Sequence, residues 1–233
     1  EMRQRTQGLA TSQVRTLHSL GYEVVGRALG GRPSVLSERD VRRLLEGLVT
    51  TRPKANDDMF APYLDALAEV RAALRSPTVV EEARGDVPGF AELFTEYRAR
   101  LRRKDAIDHD EQIYGAVEAL LRDPELRATM QKRCAHVLLD ELQDVTPAQL
   151  LLVRLLAAPA YDVYGVGDDD QVIYGYAGAD PRFLVHYDTY FPGAASFLLD
   201  VNYRCPPAVV EAAGKLLVNN RVREAKHTSA RPG

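Results

Sequence analysis

Two carboxylates follow directly after an apolar run near the middle of the chain. Val137, Leu138 and Leu139 lead into Asp140 and Glu141, a pattern typical of a strand buried in a parallel sheet. Ligands bind beyond the carboxyl ends of such strands. There, Asp140 can hold Mg²⁺, usually through water, and Glu141 can accept a proton from an attacking water molecule. For this pair taken alone, the alternative is a point where the chain returns to solvent.

Two further apolar runs, Val163 to Gly167 and Phe197 to Leu199, also end next to polar residues. We predict that both are strands of the same buried sheet. Gln171 follows the first run, and its neutral amide can hydrogen-bond a terminal phosphate oxygen or the water that attacks it. Arg204 follows the second run, and a surface ion pair is the alternative for an isolated arginine.

Helical patterns separate these predicted strands. Thr146 and Pro147 begin one helix, and Asp123 with Pro124 begins another that ends near Cys134, because proline is favoured at the first helical position. Strands that alternate with helices predict an α/β core with right-handed crossovers. Near the start of the chain, Val14 to His18 alternates like a short strand.

From about residue 33 to residue 104, apolar residues recur at helical spacing. Ser37 and Asp40 have the spacing of a capping box, and Pro77 and Pro88 separate the later patterns. We therefore predict an all-helical region that interrupts the α/β core. Its apolar faces comprise Val41, Leu44, Leu45, Leu48 and Val49, then Phe60, Leu64, Leu67 and Leu74, then Phe90, Leu93, Phe94, Tyr97 and Leu101.

The composition limits the kinds of partner and site. The 233 residues carry a formal net charge of -3, so contact with nucleic acid requires a local patch or base stacking. Arg98 to Lys104 forms one basic run, although cations at the end of a helix also stabilise its dipole, which is the interpretation we favour. Cys134 and Cys205 have no partners at zinc spacing. No apolar stretch is long enough for a membrane helix, and we expect a cytoplasmic protein.

Three stretches of the chain, in order, resemble motifs of the UvrD/Rep/PcrA family of superfamily 1 DNA helicases. They are Asp140-Glu141-Leu142-Gln143-Asp144, Val166 to Tyr176, and Asn202-Tyr203-Arg204-Cys205. The resemblance implies an α/β fold of the P-loop NTPase (RecA-like) type, in which helices flank a parallel sheet that carries an all-helical insertion subdomain. Asp105 to Asp110 resembles the family's LDFDDL stretch and marks the end of the insertion.

This resemblance also implies a domain organisation. Residues 1–32 and 105–200 correspond to a first motor lobe truncated at its N-terminus, residues 33–104 to the helical insertion, and residues 201–233 to the beginning of a second lobe. The chain starts at Glu1 within a helical pattern, and we expect it to be a segment of a longer protein.

The resemblance implies roles at a site for ATP and Mg²⁺. Asp140 resembles the magnesium ligand and Glu141 the catalytic base. Arg204 resembles an arginine finger that reaches the γ-phosphate from the second lobe. Further nucleotide or linking contacts are implied for Gln143, Gln171 and Tyr203.

DNA contacts are implied at two places. Thr16 and His18 belong to a stretch that resembles the TxHS element of the family, and Tyr174 and Tyr176 lie in the part of the third motif that offers aromatic faces to single-stranded DNA. Stacking on a base contributes about 1–3 kcal/mol. The alternative for the tyrosines is a place in the core, and His18 alone is typical of a hydrogen-bonded structural residue.

The implied function is that of an ATP-dependent 3′-5′ DNA helicase that acts on single-stranded DNA and duplex junctions in repair or recombination. The family's GxxxxGK[ST] loop does not occur in these residues, so we expect no ATP hydrolysis by this segment alone. Ala177 replaces an arginine that the family typically carries. Both departures favour the alternative of a non-catalytic scaffold or DNA-binding module, and a GxxxxGK[ST] loop upstream in the parent gene would favour the motor.

Overall fold

A computed structural model describes residues 13–49, 58–172, 175, 178–220, 226 and 228–231. The helices of the described residues are α1 (Leu17–Leu29), α2 (Glu38–Glu46), α3 (Ala61–Ala73), α4 (Pro77–Arg84), α5 (Phe90–Arg103), α6 (Glu111–Arg122), α7 (Pro124–Arg133), α8 (Pro147–Ala157), α9 (Arg182–Val185), α10 (Tyr187–Tyr190) and α11 (Pro207–Leu217). The strands are β1 (Ser34–Val35), β2 (Ala106–Ile107), β3 (Val137–Leu139), β4 (Val163–Gly165), β5 (Val201–Asn202) and β6 (Ser229–Ala230). In this part of the chain, no helix is long and apolar enough to cross a membrane.

The contacts within the chain define two compact units. The first comprises Glu1–Cys134 and Pro147–Ala158, and the second comprises Ala135–Thr146 and Pro159–Gly233. The first unit contains the helices from α1 to α8, with β1 and β2. The second contains the remaining elements and all the residues predicted to bind the nucleotide.

Helix α1 begins where the sequence predicted a strand. The Thr16 side chain caps the helix by accepting a hydrogen bond from the Ser19 backbone N–H at 3.1 Å, which satisfies one of the free donors of the first turn. The prediction of a strand at Val14 to His18 was therefore wrong. Helix α1 packs closely on α6, and a Cβ on Gly21 would lie 2.2 Å from the Gln112 carbonyl oxygen.

The helices predicted between residues 33 and 104 are present. Ser37 and Asp40 form the predicted capping box at the start of α2. Pro77 does more than separate two helices, since it occupies the first turn of α4. This region also contains β1, which pairs in parallel with β2, so it is not wholly helical. Its core comprises Val41, Leu44, Leu45, Val49, Tyr63, Ala66, Leu67, Val70, Val80, Val87, Phe90, Leu93, Phe94, Tyr97 and Leu101.

A second core in the first unit packs α1, α6 and α8 together. Val24, Val117 and Leu152 are among its buried side chains. Next to the start of α6, the buried Arg71 guanidinium donates hydrogen bonds to Asp108 at 2.6 and 2.7 Å. Asp108 also accepts a hydrogen bond from the buried Tyr97 hydroxyl. Because each buried charge has a partner, this cluster of Arg71, Asp108 and Tyr97 is tolerated within the core.

The second unit is built on parallel strand pairs. Strands β3 and β4 pair in parallel with Val137 opposite Val163, and β5 pairs in parallel with β6. Each sheet among the described residues contains two strands. The parallel direction agrees with the predicted α/β class, and a single RecA-like sheet stays a prediction.

Two predictions about these strands were wrong. Strands β3 and β4 are not buried on both faces, since Leu138 is 78% exposed and Tyr164 is 63% exposed. Phe197 to Leu199 is not a strand, and Phe197 and Leu199 are more than four-fifths exposed. A short apolar run becomes a strand only where a neighbouring backbone pairs with it. In this region that pairing begins at Val201, which lies opposite Ser229.

Candidate functional site

The predicted site begins where β3 and β4 end side by side. The Val166 N–H donates to the Leu139 carbonyl oxygen, and the Leu142 N–H donates to the Val166 carbonyl oxygen, both at 2.9 Å. These bonds extend the pairing beyond the strands and hold the two following loops together. Asp140 and Glu141 are both exposed at this edge.

Glu141 has an unusual backbone conformation. Its φ of 53° and ψ of 47° lie in the left-handed region, which non-glycine residues seldom adopt. Such strain is found at sites where the surrounding contacts fix a residue in place. Glu141 then begins a single 3₁₀ turn, Leu142–Asp144, whose first two side chains are buried.

Gln143 joins the two loops through both ends of its side-chain amide. Its Nε2 donates to Glu141 Oε2 at 2.7 Å, and its Oε1 accepts from the Asp168 backbone N–H at 3.0 Å. The Gln143 side chain is only 2% exposed, and both bonds are partly buried. A Cβ on Gly167 would lie 2.6 Å from Gln143 Oε1, so a residue without a side chain is required beside the amide.

Asp168 connects this hydrogen-bonded group to Gln171. The Asp168 side chain accepts a hydrogen bond from the Asp170 N–H at 3.1 Å and so caps a 3₁₀ turn, Asp169–Gln171. Gln171 Nε2 donates to Asp168 Oδ2 at 2.7 Å. The structure thus brings Glu141, Gln143 and Gln171 into one hydrogen-bonded group.

Two residues that the sequence did not indicate as functional, Lys226 and Asn220, contact the acidic turn formed by Asp168, Asp169 and Asp170. The Lys226 ammonium lies within hydrogen-bond distance of Asp168 and Asp169, and it is 3.3 Å from Asp170 Oδ2. Asn220 donates to Asp170 Oδ1 at 2.9 Å. The carboxylate oxygens of the three aspartates lie within 4.8 Å of one another, and the ammonium neutralises part of their charge.

The pKa values in this group follow from its contacts. Burial alone would raise the pKa of Asp168, but hydrogen bonds from Lys226 and Gln171 outweigh that effect and lower it. Burial alone would lower the pKa of Lys226, but its hydrogen bonds to Asp168 and Asp169 raise the pKa to about 12. At neutral pH both partners are therefore charged.

Asp144 differs from the other carboxylates. Its Oδ1 atom is enclosed by protein and has no hydrogen-bond partner among the described residues. Burial, followed by the nearby charge of Glu141, raises the pKa of Asp144. A cation bound near Asp144 and Glu141 would favour the charged form of both carboxylates. It would therefore oppose the rise in the pKa of Asp144.

The predicted nucleotide contacts from the stretch Asn202-Tyr203-Arg204-Cys205 lie near β5. Tyr203 is 74% exposed, and the Arg231 guanidinium lies 6.0 Å from the centre of its ring. Asn202 Oδ1 accepts from the backbone N–H groups of Arg204 and Cys205 at 2.9 and 2.8 Å. Among the described residues, no hydrogen bond or ion pair joins Arg204 to Glu141 or Gln171. The roles of Tyr203 and Arg204 therefore stay predictions.

Of the residues predicted to contact DNA, Thr16 and His18 are among the described residues. Thr16 caps α1, and the His18 ring stacks on His109 with ring centres 3.8 Å apart. Burial and the nearby His109 lower the pKa of His18 to about 4, against the opposing effect of Asp110. Tyr174, Tyr176 and Ala177 lie outside the described residues.

The basic run at the end of α5 is largely neutralised. Arg98 forms ion pairs with Glu111 and Glu118. Arg100 and Arg103 both pair with Glu96. These ion pairs lie within the first unit, and the interpretation based on the helix dipole stays a prediction.

Comparison with known proteins identifies the family. The sequence profile described as UvrD/REP helicase N-terminal domain matches residues 1–192. The chain belongs to this family. Within it, the chain is 26% identical over 240 residues to the ATP-dependent DNA helicase PcrA of Staphylococcus aureus, covering 97% of this chain and 33% of the relative. PcrA of Leuconostoc citreum is also 26% identical, with 97% and 32% covered.

A third UvrD/REP relative matches a shorter region. The putative ATP-dependent DNA helicase YjcD of Bacillus subtilis is 32% identical over 138 residues, which cover 59% of this chain and 18% of the relative. The chain thus spans about a third of the length of the PcrA relatives that it matches.

The stacked His18 ring predicts a dependence of stability on pH. Its pKa falls from an ordinary 6.5 to about 4 on folding, so between these values the unfolded chain binds a proton that the folded chain does not. This contribution to stability is complete above about pH 6.5 and is lost progressively towards about pH 4. His18→Phe retains a ring and cannot titrate, so urea unfolding should show a smaller loss on acidification. An equal or steeper loss in the variant would contradict this assignment.

The Lys226 ammonium predicts a stabilising contact at neutral pH. Lys226→Met should lower the free energy of unfolding by about 1–3 kcal/mol, because three carboxylates lose a charged donor. Urea unfolding at neutral pH measures the change, which should shrink as the pH falls through the lowered pKa of Asp168.

Two control variants define this test. Lys226→Arg keeps the positive charge and should retain most of the stability. Lys215→Met removes a lysine that is 75% exposed, and it should cost less than about 0.5 kcal/mol. If Lys226→Met were no more destabilising than Lys215→Met, the proposed role of the ammonium would be wrong.

Proposed function

We propose that this chain is part of an ATP-dependent 3′-5′ DNA helicase that translocates on single-stranded DNA and unwinds duplexes in repair or recombination. The observation that carries the proposal is the hydrogen-bonded group of Glu141, Gln143, Asp168 and Gln171. Its support is the family membership and the description of the PcrA relatives as ATP-dependent DNA helicases. The P-loop NTPase fold that the family implies and the predicted motor lobes are part of the proposal.

The carboxylates after β3 fit a site for Mg²⁺ and ATP. Asp140 is exposed at the end of the strand, where its oxygens can accept bonds from the water shell that Mg²⁺ retains. Asp144 Oδ1, enclosed and without a partner in the described part of the chain, also favours a nearby cation. When bound, Mg²⁺ with ATP supplies the phosphoryl group and neutralises its developing charge.

Within this proposal, Glu141 accepts the proton of the attacking water. The Gln143 amide donates to one carboxylate oxygen of Glu141 at 2.7 Å and so leaves the other oxygen available to the water. Gln171 joins the same hydrogen-bonded group through Asp168, since its amide donates to the Asp168 side chain. A terminal phosphate oxygen would compete with Asp168 for the Gln171 amide, which gives the loop a means to sense the nucleotide.

The other parts of the proposal concern residues without a contact to this group. Arg204 supplies positive charge to the γ-phosphate, and Tyr203 stacks on adenine. Thr16, Tyr174 and Tyr176 contact single-stranded DNA. His18 belongs to the same proposed DNA contact, and it supports the start of α1 through its stack on His109.

The Glu141 carboxylate provides the direct test of this function. In the full-length protein, Glu141→Gln should lower DNA-stimulated ATP turnover by about 10²–10⁴-fold, because the amide cannot accept the proton. Binding of ATP should be retained, since the substitution preserves shape. A steady-state ATPase assay and a nucleotide-binding assay measure the two quantities.

The matched control is Glu211→Gln. It makes the same chemical change at a carboxylate that is 70% exposed on α11, and turnover should stay at the level of the unmodified protein. Unchanged turnover in Glu141→Gln would refute the assignment of the base. Absence of DNA-stimulated turnover in the unmodified protein would favour the non-catalytic alternative.

A further inference from the structure

Three arginines converge on one carboxylate on the first unit. Arg27 Nε donates to Glu23 Oε1 at 2.9 Å, and both Arg15 and Arg133 also donate to the Glu23 carboxylate. The three arginine side chains remain between 26% and 44% exposed. One negative charge therefore orients three guanidinium groups that are still accessible to solvent, and no second carboxylate among the described residues pairs with them.

This ratio is the reverse of that at the buried Arg71 and the half-buried Arg98 of the same unit. Arg71 pairs with Asp108 and Asp110. Arg98 pairs with both Glu111 and Glu118. At those positions the carboxylates outnumber the arginines. At Glu23 the arginines outnumber the carboxylate.

Two of these arginines, Arg15 and Arg27, line an open groove of about 560 Å³. Its lining also includes Tyr22, Gly30, Gly31 and Arg32. Arg32 is exposed and has no carboxylate partner among the described residues. Gly30 and Gly31 have no atom within 4 Å of a Cβ built on them, so this wall admits a bulky ligand close to the backbone. The groove is thus both open and positively charged.

We infer that this groove binds the phosphates of single-stranded DNA. Guanidinium groups match the geometry of phosphate oxygens in bidentate hydrogen bonds, and Glu23 holds them in place before the ligand arrives. Because the chain has a formal net charge of -3, attraction of a polyanion requires a local surplus of this kind. The choice of DNA as the polyanion rests on the proposed function.

The groove lies on the same helix as a predicted DNA contact. Helix α1 begins after Thr16, and Glu23 and Arg27 lie on its second half. A strand that follows this helix would therefore meet the arginines after the predicted contact at Thr16. Arg27 and Arg32 are best suited to substitution, because neither is buried.

The test measures binding of a fluorescently labelled oligothymidylate to the 233-residue chain by anisotropy, over a series of salt concentrations. Arg27→Gln and Arg32→Gln should each weaken binding about fivefold near 0.1 M salt. This follows from a loss of roughly 0.7 in the slope of log affinity against log salt for each phosphate contact to a single strand. Arg27→Lys keeps the charge and should retain most of the affinity.

The matched control is Arg103→Gln, which removes an exposed arginine that is paired with Glu96, and it should leave affinity and slope unchanged. Equal losses in Arg103→Gln and Arg32→Gln would overturn the inference, because a general charge effect would explain both. Absence of oligothymidylate binding by the unmodified chain would also overturn it. These outcomes leave the proposed function standing, since that function is tested by ATP turnover in Glu141→Gln.

Discussion

The buried side-chain amide of Gln143 is the contact on which the candidate site depends. Among the described residues, it is the side chain that binds both the carboxylate of Glu141 and the backbone of Asp168. Because an amide offers both a donor and an acceptor, it can satisfy a carboxylate on one side and an N–H on the other. A hydrocarbon of the same size would remove this hydrogen bond from both groups. The glycine at position 167 follows from this arrangement, because a Cβ there would lie 2.6 Å from Gln143 Oε1.

Sequence patterns predicted the helices better than the strands. The capping box of Ser37 and the apolar face of α5 are local, since one helix contains the whole pattern. Strands need a partner that lies far away in the chain, and apolar composition alone does not identify it. Phe197 to Leu199 therefore looked like a strand, whereas the pairing begins at Val201. At Thr16, a side-chain cap decided in favour of a helix over an alternating pattern of five residues.

The same distinction between local and distant contacts applies to the candidate site. Motif residues such as Glu141 and Gln171 could be named from the sequence because their types and neighbours resemble a known family. Lys226 could not, because it contacts Asp168 across 58 positions of sequence and belongs to no pattern. The formal net charge of -3 also does not show where charged side chains cluster. One ammonium serves three carboxylates at Lys226, whereas one carboxylate serves three guanidinium groups at Glu23.

The central claim is that Gln143 holds in place the Glu141 carboxylate, which we propose as the catalytic base, and ATP turnover in Gln143→Leu tests this claim most directly. The leucine retains the volume of the side chain but cannot donate to Glu141. In the full-length protein, the account predicts that kcat falls by about 100-fold, the scale expected when a reacting group is displaced by about 1 Å, while the Kd for ATP stays within about twofold. A kcat equal to that of the unmodified protein would contradict the account.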